Sequence, residues 1–145
     1  MADLRPFEDS LPMLLLRARE AALTYFRGVL SEHGLTEQQW RVLRVLNEED
    51  ALSASVVAER TALLPPSVTR IVKALAERDL LLSQRSNADA RELRLQLTDH
   101  GRALVQEIAP RSEAQYVRME ERLSTDRLRD LHALLQDFIG QEKAV

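Results

Sequence analysis

The apolar residues change their spacing between residues 65 and 97, and this change limits the folds that the chain can adopt. After Pro65 and Pro66, apolar residues recur at three- and four-residue intervals, as in an amphipathic helix with proline in its first turn. From residue 92 to 97, leucine instead occupies every second position, which predicts a half-buried strand. Residues 80–85 predict a second strand, and turn-forming residues between the two complete a hairpin.

Two helical patterns precede this region. Apolar positions from about residue 11 to 31 predict a long first helix. Gly34 is well placed to end it, because glycine adopts the left-handed conformation at little cost. Thr36 and Gln39 then have the spacing of a capping box, which predicts the start of a second helix that ends near residue 47.

Short and long helical segments complete the chain. A short helix is predicted over residues 56–60, with Ser53 or Ser55 as its N-terminal cap. After the hairpin, residues 99–122 predict a long helix, and we expect Pro110 to kink it or to break its hydrogen bonding locally. A final helix follows. The resulting order, with a short helix, a turn, a second helix and a hairpin, predicts a mainly α fold of the winged helix-turn-helix type.

Charge is distributed unevenly along the chain. The net charge is −3, yet residues 60–94 hold seven basic and four acidic side chains and carry +3. A basic middle between acidic flanks is typical of a surface that binds nucleic acid, although ordinary variation in charge would also produce it.

Several functional classes lack their sequence signatures. The chain has no cysteine, and His33, His100 and His132 lie too far apart in sequence to form a ligand-spaced pair, so we expect no metal and no cofactor. No nucleophile elbow or phosphate loop is present, which predicts that the chain is not an enzyme. No segment has the length of a membrane span or resembles a signal peptide. We therefore expect a cytoplasmic protein without a membrane partner.

The helix that opens at Pro65 has the composition of a recognition helix. Its apolar face supplies the anchor, while the other face carries hydroxyls and cations that suit phosphates and base edges in a major groove. We expect its amino end to attract a phosphate through free amides and the helix dipole. The DNA contacts predicted outside the hairpin are Ser55, Ser67, Thr69, Arg70 and Lys73.

The hairpin would form the wing. Arg91 at its tip is predicted to enter a minor groove, with Asp89 holding the guanidinium in place through a charge-assisted bond. Asn87 also lies at the tip, and Arg85 and Arg94 flank it as candidates for phosphate contacts. The alternative is a solvated turn with a weak surface ion pair. A helical adaptor that binds no DNA is the competing function from another class.

The stretch from Asp89 to Gly101 (DARELRLQLTDHG) resembles the wing and the segment that follows it in the MarR family of bacterial regulators. The stretch from Leu35 to Leu43 also resembles that family. Residues 10–19 and 35–42 are most similar to repressors of homoprotocatechuate-degradation operons within that family. The resemblance implies a homodimeric repressor on a pseudo-palindromic operator of an aromatic-acid catabolic operon. A MarR-type regulator of efflux or stress genes is the alternative.

The same resemblance implies different roles for different regions of the chain. Residues 1–34 and 99–145 would be dimerisation helices, and residues 35–98 would form the DNA-binding lobe. Apolar side chains at both ends agree with a dimer, because a monomer would leave them exposed. These side chains are Leu4, Phe7, Leu11, Val117, Leu123, Leu131, Leu135 and Phe138.

The resemblance also implies an effector between the dimerisation helices and the lobe. Because the chain has no thiol to oxidise, we expect its trigger to be a ligand. The resemblance to homoprotocatechuate-operon repressors implies that this ligand is a small aromatic acid such as 4-hydroxyphenylacetate or homoprotocatechuate. Ser10, Met13 and Arg17 share one helix face, and Trp40 and Arg44 lie one turn apart on the next helix. These five are the predicted ligand residues, with Arg17 binding the carboxylate. The alternative is that Met13 and Trp40 are core residues and that Arg17 is an ion-pair partner.

Overall fold

The computed structural model describes residues 2–86 and 91–141. Its helices and strands are a 3-10 turn at Phe7–Asp9, α1 Leu11–Glu32, α2 Glu37–Glu48, β1 Leu52–Ser53, α3 Ala54–Thr61, α4 Pro65–Glu77, β2 Leu81–Arg85, β3 Leu93–Leu97, α5 Asp99–Leu123 and α6 Thr125–Gln141. This order confirms the mainly α, winged helix-turn-helix prediction. Sequence patterns did not predict β1 or the 3-10 turn at Phe7–Asp9.

The predicted helix boundaries rest on local signals that the structure confirms. Gly34 has φ +66° and follows α1, and the Leu35 amide donates to the Leu30 carbonyl at 2.9 Å, which closes a Schellman motif. In the capping box of α2, the Gln39 amide donates to Thr36 Oγ1 at 3.1 Å, and the Thr36 amide donates to Gln39 Oε1 at 3.0 Å. Of the two candidate caps for α3, Ser53 is the one used.

Three antiparallel strands form one small sheet in the order β1–β3–β2. Leu95 of β3 faces Leu52 of β1 and Ser83 of β2, so the central strand is the one whose leucines alternate in sequence. Leu95 and Leu97 are buried, as the alternation predicted.

The chain divides into two compact units, Met1–Ala109 and Pro110–Val145. The first contains the sheet and one hydrophobic core, drawn from α1 to α5 and from β2 and β3, with the half-buried Leu52 of β1 packed against it. The buried apolar residues of this core are Val29, Leu30, Leu35, Trp40, Val42, Leu43, Leu46, Val57, Ala58, Val68, Ile71, Val72, Leu75, Leu80, Leu81, Leu95, Leu97, Val105 and Ile108.

The second unit contains the end of α5 and all of α6. Helix α5 continues through Pro110 to Leu123, so this proline removes one backbone donor without ending the helix. Ser124 caps α6 by accepting a hydrogen bond from the Arg127 amide at 3.3 Å. No residue of α6 is buried within its described length.

Candidate nucleic-acid interface

Helix α4 buries one face and exposes the other, as predicted for a recognition helix. Its buried residues are Val68, Ile71, Val72 and Leu75. Thr69, Arg70 and Lys73 are exposed on the opposite face, and Ser67 is half-buried. The apolar contacts fix the helix in the core, so the polar side chains project from a rigid support.

The polar side chains of α4 differ in how they are held. Thr69 Oγ1 donates to the Pro65 carbonyl at 3.1 Å, and Arg70 Nη2 donates to Ser67 Oγ at a long 3.4 Å. Lys73 makes no ion pair or hydrogen bond through its side chain with any residue that the structure describes. The two cations of this face are therefore available to an anionic partner at small cost.

The amino end of α4 does not offer the free amides that we expected. Pro65 and Pro66 have no N–H, and the amides of Ser67 and Val68 both donate to the Leu64 carbonyl, at 2.9 and 3.1 Å. The expectation of a phosphate held by these amides is therefore wrong. A phosphate near this end would have to be bound by side chains, with only the helix dipole assisting.

Two adjoining grooves bring the predicted contacts from separate segments together. Ser55 and Arg91 line a groove of about 500 Å³ beside the wing. Ser55 and Thr69 line a neighbouring groove of about 190 Å³ between α3, α4 and β3. Ser55, Thr69 and Arg91, from three elements, therefore border one continuous surface. Ser55 is exposed there, and its Oγ lies 3.1 Å from Ser53 Oγ.

The base of the wing is an ordered two-stranded ribbon. Arg85 faces Leu93 across the last pair of β2 and β3, and the Ser86 amide donates to the Glu92 carbonyl at 2.9 Å. Arg85 and Arg91 are both exposed.

Two of the predicted wing residues, Asn87 and Asp89, lie outside the described residues. The bond that we expect between Asp89 and Arg91 therefore stays a prediction. Arg94 Nη2 approaches the Ala51 carbonyl at 3.5 Å, which places this guanidinium beside β1.

The carboxyl end of α4 is held by hydrogen bonds to segments that are distant in sequence, and sequence patterns did not predict these bonds. Arg78 donates to the carbonyls of Gly34 and His33, at 2.8 and 3.0 Å. The next residue, Asp79, has φ +58°, and its carbonyl accepts from Thr98 Oγ1 at 2.7 Å. The turn between the recognition helix and the wing is thus fastened to both α1 and the start of α5.

A second arginine network holds α3. Glu37 Oε2 accepts from Arg19 of α1 and from Arg41 of its own helix, each at 3.1 Å. Arg41 Nη1 in turn donates to the Thr61 carbonyl at the end of α3, at 2.7 Å. Three helices are therefore joined through one carboxylate, which is about one-fifth exposed.

The predicted ligand residues lie on neighbouring helices of the first unit. Ser10 occupies the N-cap position of α1 without a capping bond from its side chain. Ser10 and Met13 are half-buried, whereas Arg17 and Arg44 are exposed. Within the described residues, neither arginine makes an ion pair, so Arg17 is not the ion-pair partner that the alternative interpretation required. Trp40 is only 7% exposed and belongs to the core, which agrees with its alternative interpretation.

Large apolar side chains lie exposed at the ends of both units. In the first unit these include Leu4, Phe7, Leu11, Leu14 and Leu16. In the second they include Val117, Leu131, Leu134, Phe138 and Ile139. Leu131, Leu134 and Phe138 share one stripe of α6, and the described residues leave it exposed.

Other kinds of site find no support in the described part of the chain. No cluster of three metal-ligating side chains occurs among those residues. None of the described helices combines the length and the apolar character needed to span a membrane.

Comparison with known proteins agrees with this geometry. The sequence profile of the MarR family matches residues 33–92, which run from the end of α1 into the wing. The homoprotocatechuate degradative operon repressor of Escherichia coli is 37% identical over 132 residues, covering 91% of this chain and 89% of that protein.

Two solved structures share the fold along almost the whole chain. NadR in complex with 4-hydroxyphenylacetate superposes with a TM-score of 0.84 and 32% identity, covering 93% of this chain and 98% of NadR. The transcriptional repressor CouR bound to a 23-mer DNA duplex superposes with a TM-score of 0.83 and 26% identity, covering 95% and 99%.

Proposed function

This chain belongs to the MarR family of transcriptional regulators, and on that premise we propose that it is a homodimeric repressor released from its operator by a small aromatic acid. The observation that carries the proposal is the surface shared by α4, α3 and the wing, where Ser55, Thr69 and Arg91 border adjoining grooves. A helical adaptor would have no need of an exposed cationic helix face beside a hairpin.

In the proposed complex, α4 enters the major groove. Arg70 and Lys73 are long, exposed cations on its outer face, and Arg can make a bidentate contact with guanine. Ser55, Ser67 and Thr69 supply hydroxyls for phosphates or base edges, because the first-turn amides of α4 are absent or already bonded. Side chains therefore make all of the contacts at this end of the helix.

The wing would lie along the neighbouring minor groove. Arg91 is exposed two residues before β3 begins, and a narrow minor groove attracts a guanidinium by its negative potential. Arg85 at the end of β2 is placed to contact the backbone beside it, and Asn87 and Asp89 are proposed to complete the tip.

The uncovered apolar surfaces support a homodimer. Helix α6 buries nothing within its described length, and its Leu131, Leu134 and Phe138 stripe needs a partner to leave water. Leu4 and Phe7 at the other end of the chain have the same need. A two-fold dimer would present two recognition helices to half-sites about one helical turn apart.

The proposed effector is an aromatic carboxylate of the kind named for two similar proteins, 4-hydroxyphenylacetate or homoprotocatechuate. Arg17 and Arg44 are exposed and have no ion-pair partner among the described residues, so either can bind a carboxylate without breaking an existing contact. Ser10 and Met13 lie on the same face as Arg17. Trp40 offers only its small exposed edge, one turn from Arg44.

DNA binding is tested by a gel shift with the DNA upstream of the protein's own gene. The wild-type protein should bind with an affinity that falls steeply as salt rises, because phosphate contacts release counterions. Arg91→Ala should weaken binding by roughly tenfold or more, in keeping with the ~1–3 kcal/mol of a specific arginine contact. Arg127→Ala, which removes an exposed arginine of α6, is the matched control and should bind normally.

Effector binding is tested by a thermal-shift screen of phenolic acids, followed by competition in the gel shift. We expect 4-hydroxyphenylacetate or homoprotocatechuate to raise the melting temperature and to release the DNA. Arg17→Ala and Arg44→Ala should weaken these effects while leaving DNA affinity intact. Wild-type effector affinity in Arg17→Ala would remove that residue from the site.

A further inference from the structure

We propose that Arg78 is a positioning residue for operator recognition, one that sets the orientation of α4 from outside the DNA interface. The inference rests on the proposed function. It concerns the carboxyl end of the recognition helix, away from Ser67 and Thr69 near its start. Both bonds of Arg78 reach residues 44 and 45 positions earlier in the chain.

The acceptors of Arg78 are two carbonyls at the end of α1. The Schellman motif of α1 uses the Leu30 and Ser31 carbonyls, which accept from the amides of Leu35 and Gly34. The carbonyls of His33 and Gly34, just beyond the last helical residue Glu32, are the ones that accept from the Arg78 guanidinium. A cation at the carboxyl end of a 22-residue helix also interacts favourably with its dipole.

The geometry requires a guanidinium. Nη1 and Nη2 each donate to a different carbonyl, at 2.8 and 3.0 Å, so the planar fork of Arg78 fixes a direction as well as a distance. A lysine ammonium would keep the charge and a single point of attachment, without the fork.

The backbone beside Arg78 is fastened separately. The Leu80 amide donates to the Leu75 carbonyl at 3.0 Å, and the Asp79 amide donates to the Ala76 carbonyl at 3.0 Å, so α4 also ends in a Schellman motif. Thr98 bonds the carbonyls of Asp79 and Leu80. Thr98 thus holds the turn against α5, and Arg78 ties the helix end to α1.

A small rotation at this end has a large effect at the other. Ser67 lies eleven residues before Arg78, about 16 Å along a helix axis, so a tilt of about 5° displaces it by roughly 1.4 Å. Base contacts tolerate about 0.5 Å. The buried face of α4 keeps the helix packed against the core, but loss of the Arg78 bonds should permit a tilt of this size and so weaken sequence-specific binding.

The test compares Arg78→Gln and Arg78→Lys with Lys73→Gln, which removes a proposed DNA contact from the same helix. Affinities for the upstream duplex and for an unrelated duplex are measured by fluorescence anisotropy across a salt series. Amide exchange in α4 is measured by hydrogen–deuterium exchange in each variant, and Arg127→Gln is the surface control.

If Arg78 positions the helix, Arg78→Gln should lose about 5- to 20-fold affinity for the operator at every salt concentration. The slope of its log affinity against log salt concentration and its affinity for the unrelated duplex should stay unchanged. Amide hydrogen exchange at the carboxyl end of α4 should increase. Arg78→Lys should recover part of the loss. Lys73→Gln should instead lower the slope by about 0.9 and weaken binding to both duplexes.

Two results would overturn the inference. A slope lowered by about 0.9 in Arg78→Gln would make Arg78 a phosphate contact, and an unchanged operator affinity would make it an ordinary surface residue. If the glutamine variant fails to fold, the operator affinity of Arg78→Lys decides the test. Wild-type affinity in that variant would show that the two-pronged guanidinium contact is not needed. Absence of salt-dependent binding by the wild type would refute the proposed function itself.

Discussion

Gly101→Ala should destabilise this protein, although the same change in a helix interior ordinarily stabilises. Gly101 lies in the first turn of α5 and is buried. A Cβ at this position would lie 2.0 Å from the Leu80 carbonyl oxygen and 3.4 Å from Leu97 Cδ2. The Leu80 carbonyl cannot easily withdraw, because it accepts from the Thr98 amide at 3.1 Å and belongs to a residue that is 1% exposed.

The magnitude follows from two opposing effects. Alanine is favoured over glycine in a helix by about 1 kcal/mol. Overpacking a well-packed site costs roughly 1–3 kcal/mol or more, and contact with a fixed backbone oxygen lies at the upper end of that range. We therefore expect a net loss of about 2 kcal/mol in the free energy of unfolding, which corresponds to a fall of roughly 4–8 °C in melting temperature for a chain of this size.

The assay is thermal and denaturant unfolding at one fixed protein concentration, because the stability of the proposed dimer would depend on concentration. Gly28→Ala is the matched control, since Gly28 is interior to α1 and a Cβ there would meet nothing within 4 Å. That variant should gain about 0.5–1 kcal/mol. Equal or greater stability of Gly101→Ala relative to wild type would refute the steric reasoning.

Three further variants test local features of the fold. Thr36→Ala removes the hydroxyl that accepts from the Gln39 amide, one of the two hydrogen bonds of the capping box, so unfolding experiments should show a loss of about 1 kcal/mol in the free energy of unfolding. Leu43→Ala leaves a cavity at a fully buried site. Chemical denaturation should show a loss of about 2–5 kcal/mol in the free energy of unfolding, with little change in its dependence on denaturant concentration. The pKa of Glu20 lies below its ordinary value of 4.5, because Arg27 donates a hydrogen bond to the carboxylate and attracts its charge. The small stabilisation that follows is complete above that ordinary value and disappears as the pH falls through the folded pKa; Arg27→Gln should raise this pKa in an NMR titration, and an unchanged value would contradict the assignment.

Sequence patterns predicted those parts of the fold that local spacing determines. The capping box at Thr36, the end of α1 at Gly34 and the alternating strand β3 each depend on a few adjacent residues, and each is confirmed. The two faces of α4 were also predictable, because a helical period separates buried from exposed positions. The wing tip at Asn87 and Asp89 stays a prediction.

Other features depend on contacts between segments far apart in sequence, so local spacing gave no indication of them. Strand β1 has only two residues and exists because β3 lies beside it. The bonds from Arg78 to α1 cross more than forty positions. Apolar character alone could not tell whether Trp40 faces a ligand or the core. The absence of free amides at the start of α4, in contrast, was readable from Pro65-Pro66, since proline has no N–H.

Ser53 belongs to two structures at once. It pairs with Arg94 in the central strand of the wing, and its hydroxyl accepts from the Val56 amide to start α3. A displacement of β3 at the base of the wing would therefore also displace the start of α3. A change at the start of α3 would likewise reach β3. In the proposed complex, with the wing in a minor groove and α4 in a major groove, this one buried serine would link the strand that supports the wing to the helix that precedes α4.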